Sequence, residues 1–223
     1  MAIAFNSPTG TATGGNYNAG PVTSNSWSFV NTAGDLLIAA AFAGNASDIV
    51  TGITYNSISM TKITSITVNS TSWISLWYLK SPATGTNTIK TSTSSGTDIE
   101  TRVMSYSGTN TTTQPDSNNT GSATGNMTMS TTVVASNCWL VSCARNASFG
   151  PMTAGTGTTA RATTHPTPSA MNAGDSNGTV GTGSQSMQWT DASGISRGCI
   201  ASIAPPGSAV ARLPLLSLTG AGL

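Results

Sequence analysis

Apolar residues in this chain come in short runs separated by Ser, Thr, Gly and Asn. The densest run is Ser72-Trp73-Ile74-Ser75-Leu76-Trp77-Tyr78-Leu79-Lys80. Its two alternating sets, Trp73, Ser75, Trp77, Leu79 and Ile74, Leu76, Tyr78, are both largely apolar. A strand that is apolar on both faces is one covered on both sides. Ser81-Pro82-Ala83-Thr84-Gly85-Thr86 stops it, and residues 86–93 start a more polar extended run. The local pattern is a strong strand, a Pro-x-x-Gly turn and a partner strand.

The remaining runs follow the same grammar. Residues 35–42 (Asp35-Leu36-Leu37-Ile38-Ala39-Ala40-Ala41-Phe42) would suit a helix by period alone. Gly34, Gly44 and the lack of a capping residue favour a strand. Residues 2–5 and 27–30 predict short strands. Residues 49–55 and 58–60 flank Asn56-Ser57, which reads as a two-residue hairpin turn. Residues 62–68 alternate. Residues 99–107 place Val103 and Ser105 on one face and Arg102, Met104 and Tyr106 on the other. Residues 108–126 read as one loop, a length that in a compact domain marks function or mobility. Sheet returns at 127–134, 138–145, 184–190 and 197–204. Residues 158–163 read as a polar strand, 150–157 and 171–178 as loops, and His165-Pro166-Thr167-Pro168 as a stiff turn. The pattern predicts an all-β, antiparallel β-sandwich over residues 1–206, closed by Pro205-Pro206-Gly207. Residues 207–223 then form an extended apolar C-terminal arm carrying Leu213, Leu215, Leu216, Leu218 and Leu223. Such an arm folds back on its own domain or docks on a neighbouring subunit.

Composition narrows the function more than it identifies it. Only 7% of the 223 residues are charged and the formal net charge is +1. Ordinary domains carry about 25% charged residues. Single, scattered Lys and Arg make no clustered basic surface, so nucleic acid is not an expected partner. Five Trp and many β-branched residues argue for packed sheet rather than disorder. A surface of hydroxyls and amides has little electrostatic self-repulsion and tends to associate, which points to life in an assembly. Residues 1–8 lack the basic and apolar segments of a signal peptide, and no apolar run approaches the roughly 18 residues of a membrane helix. The expectation is a protein made in a cytoplasm, with no membrane partner. The three cysteines, Cys138, Cys143 and Cys199, form no disulfide framework or zinc motif and read as buried free thiols. Cys138 and Cys143 fall on opposite faces of their strand.

Candidate chemistry is sparse. Asp98 and Glu100 share a strand face roughly 7 Å apart, a separation that could serve glycoside hydrolysis. An exposed strand start flanked by Arg102 explains them more simply. His165 is the only histidine and lies in a polar turn with no nucleophile elbow nearby. Asp175-Ser176-Asn177-Gly178 and Asp116-Ser117-Asn118 look like openings of calcium loops, yet neither has the later acidic ligand, and turn formation accounts for both. Trp189 could stack on a sugar, but it shares a face with Met187 and reads as core. No catalytic residue, cofactor or metal is expected.

Several segments together resemble a known group. In order they are Gly34-Asp35-Leu36-Leu37-Ile38-Ala39-Ala40, Ile53-Thr54-Tyr55-Asn56, Met60-Thr61-Lys62, Trp77-Tyr78-Leu79-Lys80-Ser81-Pro82-Ala83-Thr84-Gly85-Thr86 and Ser105-Tyr106-Ser107-Gly108. They resemble the jelly-roll β-sandwich modules of tailed-phage virion proteins, which also occur in bacterial surface proteins. The resemblance spans roughly residues 25–205. It implies a jelly-roll-like sandwich and a non-enzymatic role as a capsid decoration (cement) protein or a tail or fibre component. Its partners would be other virion subunits, in a homo-oligomer with a trimer favoured, and its location the virion. It supplies no catalytic residue. The alternative is a carbohydrate-binding or adhesin module that meets a surface glycan through the 108–126 and 150–157 segments and an exposed Trp.

Overall fold

The computed structural model describes residues 1–6, 14–32, 34–148, 150, 152–161, 171–191 and 194–207. His165 and the arm leucines Leu213, Leu215, Leu216, Leu218 and Leu223 lie outside the described residues. The described residues form strands without a helix, and every strand pairing is antiparallel. The fold is an all-β antiparallel sandwich, as the alternation of the sequence predicts.

The first half of the chain makes one sheet. Its strands are β1 (Ala4–Asn6), β2 (Gly15–Asn31), β3 (Leu36–Ala43), β4 (Val50–Tyr55), β5 (Ile58–Ser59), β6 (Thr61–Asn69), β7 (Ser72–Lys80) and β8 (Gly85–Ser107). The order is β5-β4-β8-β3-β7-β6, with β1 and β2 also on β8. The two-residue turn is as expected: Tyr55 pairs with Ile58, and Asn56 and Ser57 have φ of 50° and 64°. Positive φ at both central residues is the hairpin geometry that matches strand twist.

The 86–93 and 99–107 runs, predicted as separate strands, are one strand, β8. Thr91 and Thr101 would stand about 33 Å apart on a straight strand, yet their hydroxyls are 2.7 Å apart. The strand therefore folds over near Gly96. β2 bends beside it, where Gly20 has φ of 102° and the Pro21 carbonyl lies 3.0 Å from where a Cβ on Gly96 would stand. The Ser94-Ser95-Gly96 stretch looks like an interruption in the sequence because it is the corner. Folding β8 curls the sheet into a nearly closed, barrel-like form around Phe29, Leu37, Ala39, Ile53, Tyr55 and Trp77.

The opposite face of the same sheet packs on the second half of the chain. There a five-stranded sheet runs β13-β14-β11-β16-β9, and a three-stranded sheet runs β10-β15-β12. The strands are β9 (Ser117–Thr124), β10 (Met127–Val133), β11 (Trp139–Asn146), β12 (Met152–Ala154), β13 (Thr159–Arg161), β14 (Asn172–Asp175), β15 (Gly183–Asp191) and β16 (Ile195–Ile203). The expected loops at 108–126, 150–157 and 171–178 are thus partly sheet. β9, β12 and β14 are short or poor in large apolar residues (SNNTGSAT, MTA and NAGD), so no strand period shows in the pattern. Cross-strand pairing holds them instead.

The layers are a curled sheet, a five-stranded sheet and a small outer sheet. Leu36, Ile38, Ile74, Leu76, Val141 and Ile203 belong to the middle core, and Met127, Met129, Leu140, Met187, Trp189 and Ile200 to the outer one. β3 and β11 are buried along their whole lengths because each lies between two cores. The two apolar sets of β7 divide in the same way, with Ile74 and Leu76 in the middle core and Trp77 and Leu79 inside the curl. Cys138 and Cys143 likewise face different cores, and all three cysteines are buried and free.

The outer core has a socket. Gly121 of β9 and Gly198 of β16 are direct cross-strand partners. A Cβ on Gly121 would lie 2.5 Å from Met129 Cγ. A Cβ on Gly198 would run into Met129 Sδ and lie 2.7 Å from Met127 Cε and 2.8 Å from the Cys143 carbonyl. The two glycines therefore make the flat patch on which the methionines of β10 sit.

Candidate functional site

All seven Asp and Glu carboxylates of the chain are engaged in internal bonds. Asp35 accepts from the Gly108 and Thr109 amides where β8 ends. Asp48 pairs with Lys62 at 2.9 Å. Asp191 accepts from Ser196 at 2.7 Å and from the Asn146 amide. Asp175 is buried; it pairs with Arg161 at 2.9 Å, accepts from Tyr106 Oη at 3.0 Å, and turns its own backbone by accepting from the Asn177 amide. That is the turn chemistry expected of the Asp175-Ser176-Asn177-Gly178 segment, with both carboxylate oxygens occupied.

Asp98 and Glu100 do not face one substrate. Asp98 accepts from the Gly20 amide at 2.7 Å and from Tyr17 Oη at 3.2 Å, so it fastens the bend of β2 to β8. Glu100 is 1% exposed, which corrects the expectation of an exposed strand start. Its Oε1 accepts from Arg102 Nε at 2.8 Å and Nη2 at 2.6 Å. Burial pushes the Glu100 carboxyl pKa up, against Arg102, Arg145 and a backbone bond from Met171. The Arg145 guanidinium lies 3.4 Å from the centre of the Phe42 ring, and burial lowers its pKa to about 10. These groups form an ionic cluster inside the protein, where charges are retained only when paired and hydrogen-bonded.

The candidate binding feature is a cleft of about 320 Å³ at the corner between the second and third layers. β9 is the edge of the five-stranded sheet and β10 the edge of the three-stranded one. β9 contributes Ser117, Asn118 and Asn119, β10 contributes Ser130, Thr131 and Thr132, and Ser184 lies at the rim. Every lining residue carries a hydroxyl or an amide. Beneath them runs an ordered chain of hydroxyls. Thr131 Oγ1 donates to Ser117 Oγ at 2.9 Å, Ser117 and Ser202 are bonded at 3.1 Å, and Ser202 donates to Asp116 Oδ2 at 2.8 Å. Asp116 also accepts from the Val134 and Ala135 amides at 2.8 and 3.1 Å. An ionised carboxylate only accepts, so the chain has a direction, with its hydrogens running toward Asp116.

Sequence reasoning placed Asp116-Ser117-Asn118 in a turn and the whole 108–126 stretch in a loop. It missed Ser130, Thr131, Thr132 and Ser202. Ser130 and Thr132 belong to the outward polar set that alternates with Met127, Met129 and Val133 along β10, whereas Thr131 shares the methionines' face and is buried. Trp77 and Trp189 are core side chains; Trp189 is 0% exposed, and its indole donates to Ser142 Oγ at 3.1 Å. Trp73 is half-buried, and its indole donates to the Ala46 carbonyl at 3.1 Å.

No protein-family model matches the chain, and neither a curated protein nor a solved structure matches it.

Proposed function

We propose that this chain is a non-enzymatic structural protein of a phage particle, a capsid decoration (cement) protein or a tail or fibre component, acting through contacts between subunits. The observation that carries this reading is the fate of the charges. With every Asp and Glu carboxylate engaged internally, the solvent face is mostly hydroxyls and amides with a few single lysines, and the net charge is only +1. Such a surface has little of the self-repulsion that keeps proteins apart. The rigid layered core would hold that surface in one shape. The apolar arm, through Leu213, Leu215, Leu216, Leu218 and Leu223, would supply the docking contact, and a trimer is the favoured assembly. An interface of about 1,000 Å² or more is needed for specific association, and a splayed arm can provide it.

The test is mass in solution, by light scattering, on the full chain and on a chain cut after Pro206. A discrete oligomer that falls to a folded monomer on truncation is the expected result. A stable monomer in both forms would overturn the assembly reading.

A further inference from the structure

The cleft between β9 and β10 has a polarity that selects its ligand. We propose that it is a binding site for a short, neutral, polyhydroxylated ligand, a segment of an uncharged saccharide. The proposal does not rest on the particle reading above.

The argument starts from the floor. Thr131 gives its only hydroxyl hydrogen to Ser117, and the direction of the chain toward Asp116 leaves Thr131 Oγ1 with lone pairs alone. The floor is thus an acceptor surface that cannot rotate into a donor without breaking the chain. It suits a ligand rich in O–H donors. It disfavours an anion, which would meet lone pairs backed by the Asp116 carboxylate. The walls carry the opposite function. The Asn119 amide donates one hydrogen to the Ser130 carbonyl at 2.9 Å, and its Oδ1 accepts from the Thr120 amide at 2.9 Å. Those two bonds fix the side chain's orientation and leave its second N–H for a ligand acceptor. Asn118 and Thr132 stand on the opposite faces of their strands, with Ala201 and Ser184 as cross-strand partners, so Asn119 is the donor beside the floor. A sugar hydroxyl donates and accepts at once, which matches an acceptor floor beside an amide donor. An extended peptide fits less well, because strand recognition takes specificity from pockets for alternate side chains and the lining is mostly polar. The volume of about 320 Å³ falls at the small end of ligand sites, which span about 300–1,000 Å³. No aromatic ring lines the cleft to stack on a sugar face, so binding should be weak, with Kd on the order of 1 mM.

The experiment is an amide NMR titration of the full chain with neutral tetrasaccharides of glucose, mannose, galactose and N-acetylglucosamine, and with tetragalacturonate as the anionic counterpart. The expected result is saturable shifts at residues 117–119 and 130–132 with at least one neutral tetrasaccharide and none with tetragalacturonate. Asn119→Ala replaces an exposed side chain, so the variant should keep the native spectrum outside the cleft. It should weaken binding by about tenfold, the loss of a hydrogen bond or two. Four outcomes would each overturn the proposal: no saturable shift at concentrations on the order of 10 mM, shifts confined to other residues, equal affinity in Asn119→Ala, or tighter binding of the anion.

Discussion

Replacing Gly121 with Ala should test how the outer sheet is seated. The added Cβ would stand 2.5 Å from Met129 Cγ, with Met129 Cβ next at 3.4 Å. Met129 is 1% exposed, so it cannot swing out to solvent without opening the outer core. Overpacking of this kind costs about 1–3 kcal/mol. Restricting the unfolded chain by removing a glycine returns about 0.4–1 kcal/mol, so a net loss of about 0.5–2 kcal/mol is expected. Met129→Ala alone should cost about 2–5 kcal/mol through the cavity it leaves. In the Met129→Ala background the new methyl has room, so Gly121→Ala should there be neutral or mildly stabilising. The coupling should be about 1–2 kcal/mol, well above the roughly 0.5 kcal/mol scatter of independent sites. Gly198→Ala makes an internal contrast. Part of its clash is with the Cys143 carbonyl, at 2.8 Å, and backbone cannot yield as a methionine does. Its cost should therefore survive in part when Met129 is removed. The assay is urea unfolding followed by tryptophan fluorescence, with the thermal midpoint as a check at about 2–4 °C per kcal/mol for a chain of this size. Additive behaviour of Gly121→Ala and Met129→Ala would refute the socket.

Three further outcomes follow from the buried polar groups. Arg102→Met should destabilise the protein by about 3–5 kcal/mol, because it leaves the Glu100 carboxylate buried without its main partner; a loss below about 1 kcal/mol in urea unfolding would contradict the pairing. The three thiols are buried, and burial together with Asp116 pushes the Cys138 pKa up to about 12. Native protein near pH 8 should therefore react with an aromatic disulfide reagent only at the rate of unfolding, and a fast equivalent of thiol would count against the buried assignment. Burial and then Asp175 push the Tyr106 phenol well above its ordinary pKa. The stability linked to that raised value is whole below the unfolded phenol's pKa of about 10 and is lost as pH rises toward the folded value. The unfolding midpoint should thus fall above about pH 10, less steeply in Tyr106→Phe; equal slopes in the two proteins would show that another group governs the alkaline loss.

Much of the fold was legible because burial leaves a periodic trace. The boundaries of β7 coincide with the run 72–80, and its two apolar sets enter two different cores. The 35–42 run lies one residue from β3, and the Asn56-Ser57 turn has the geometry its composition demanded. Strand identity at β9, β12 and β14 was not legible, because those residues gain their pairing from neighbours brought in from distant sequence. Ser117–Thr124 is a strand because β16 offers it an edge. The corner in β8 was hidden for the complementary reason: a gap in the apolar pattern marks a stop or a bend alike, and only the contact of Thr91 with Thr101 distinguishes them. Sequence alone determined the all-β class, the buried thiols and the scarcity of charge. Tertiary structure decided where the charges went. Asp98 and Glu100 look like a pair at strand spacing, but one fastens a bend and the other is sealed against Arg102. Local spacing sets which side chains share a face, whereas burial and the partners across the fold set what they can do.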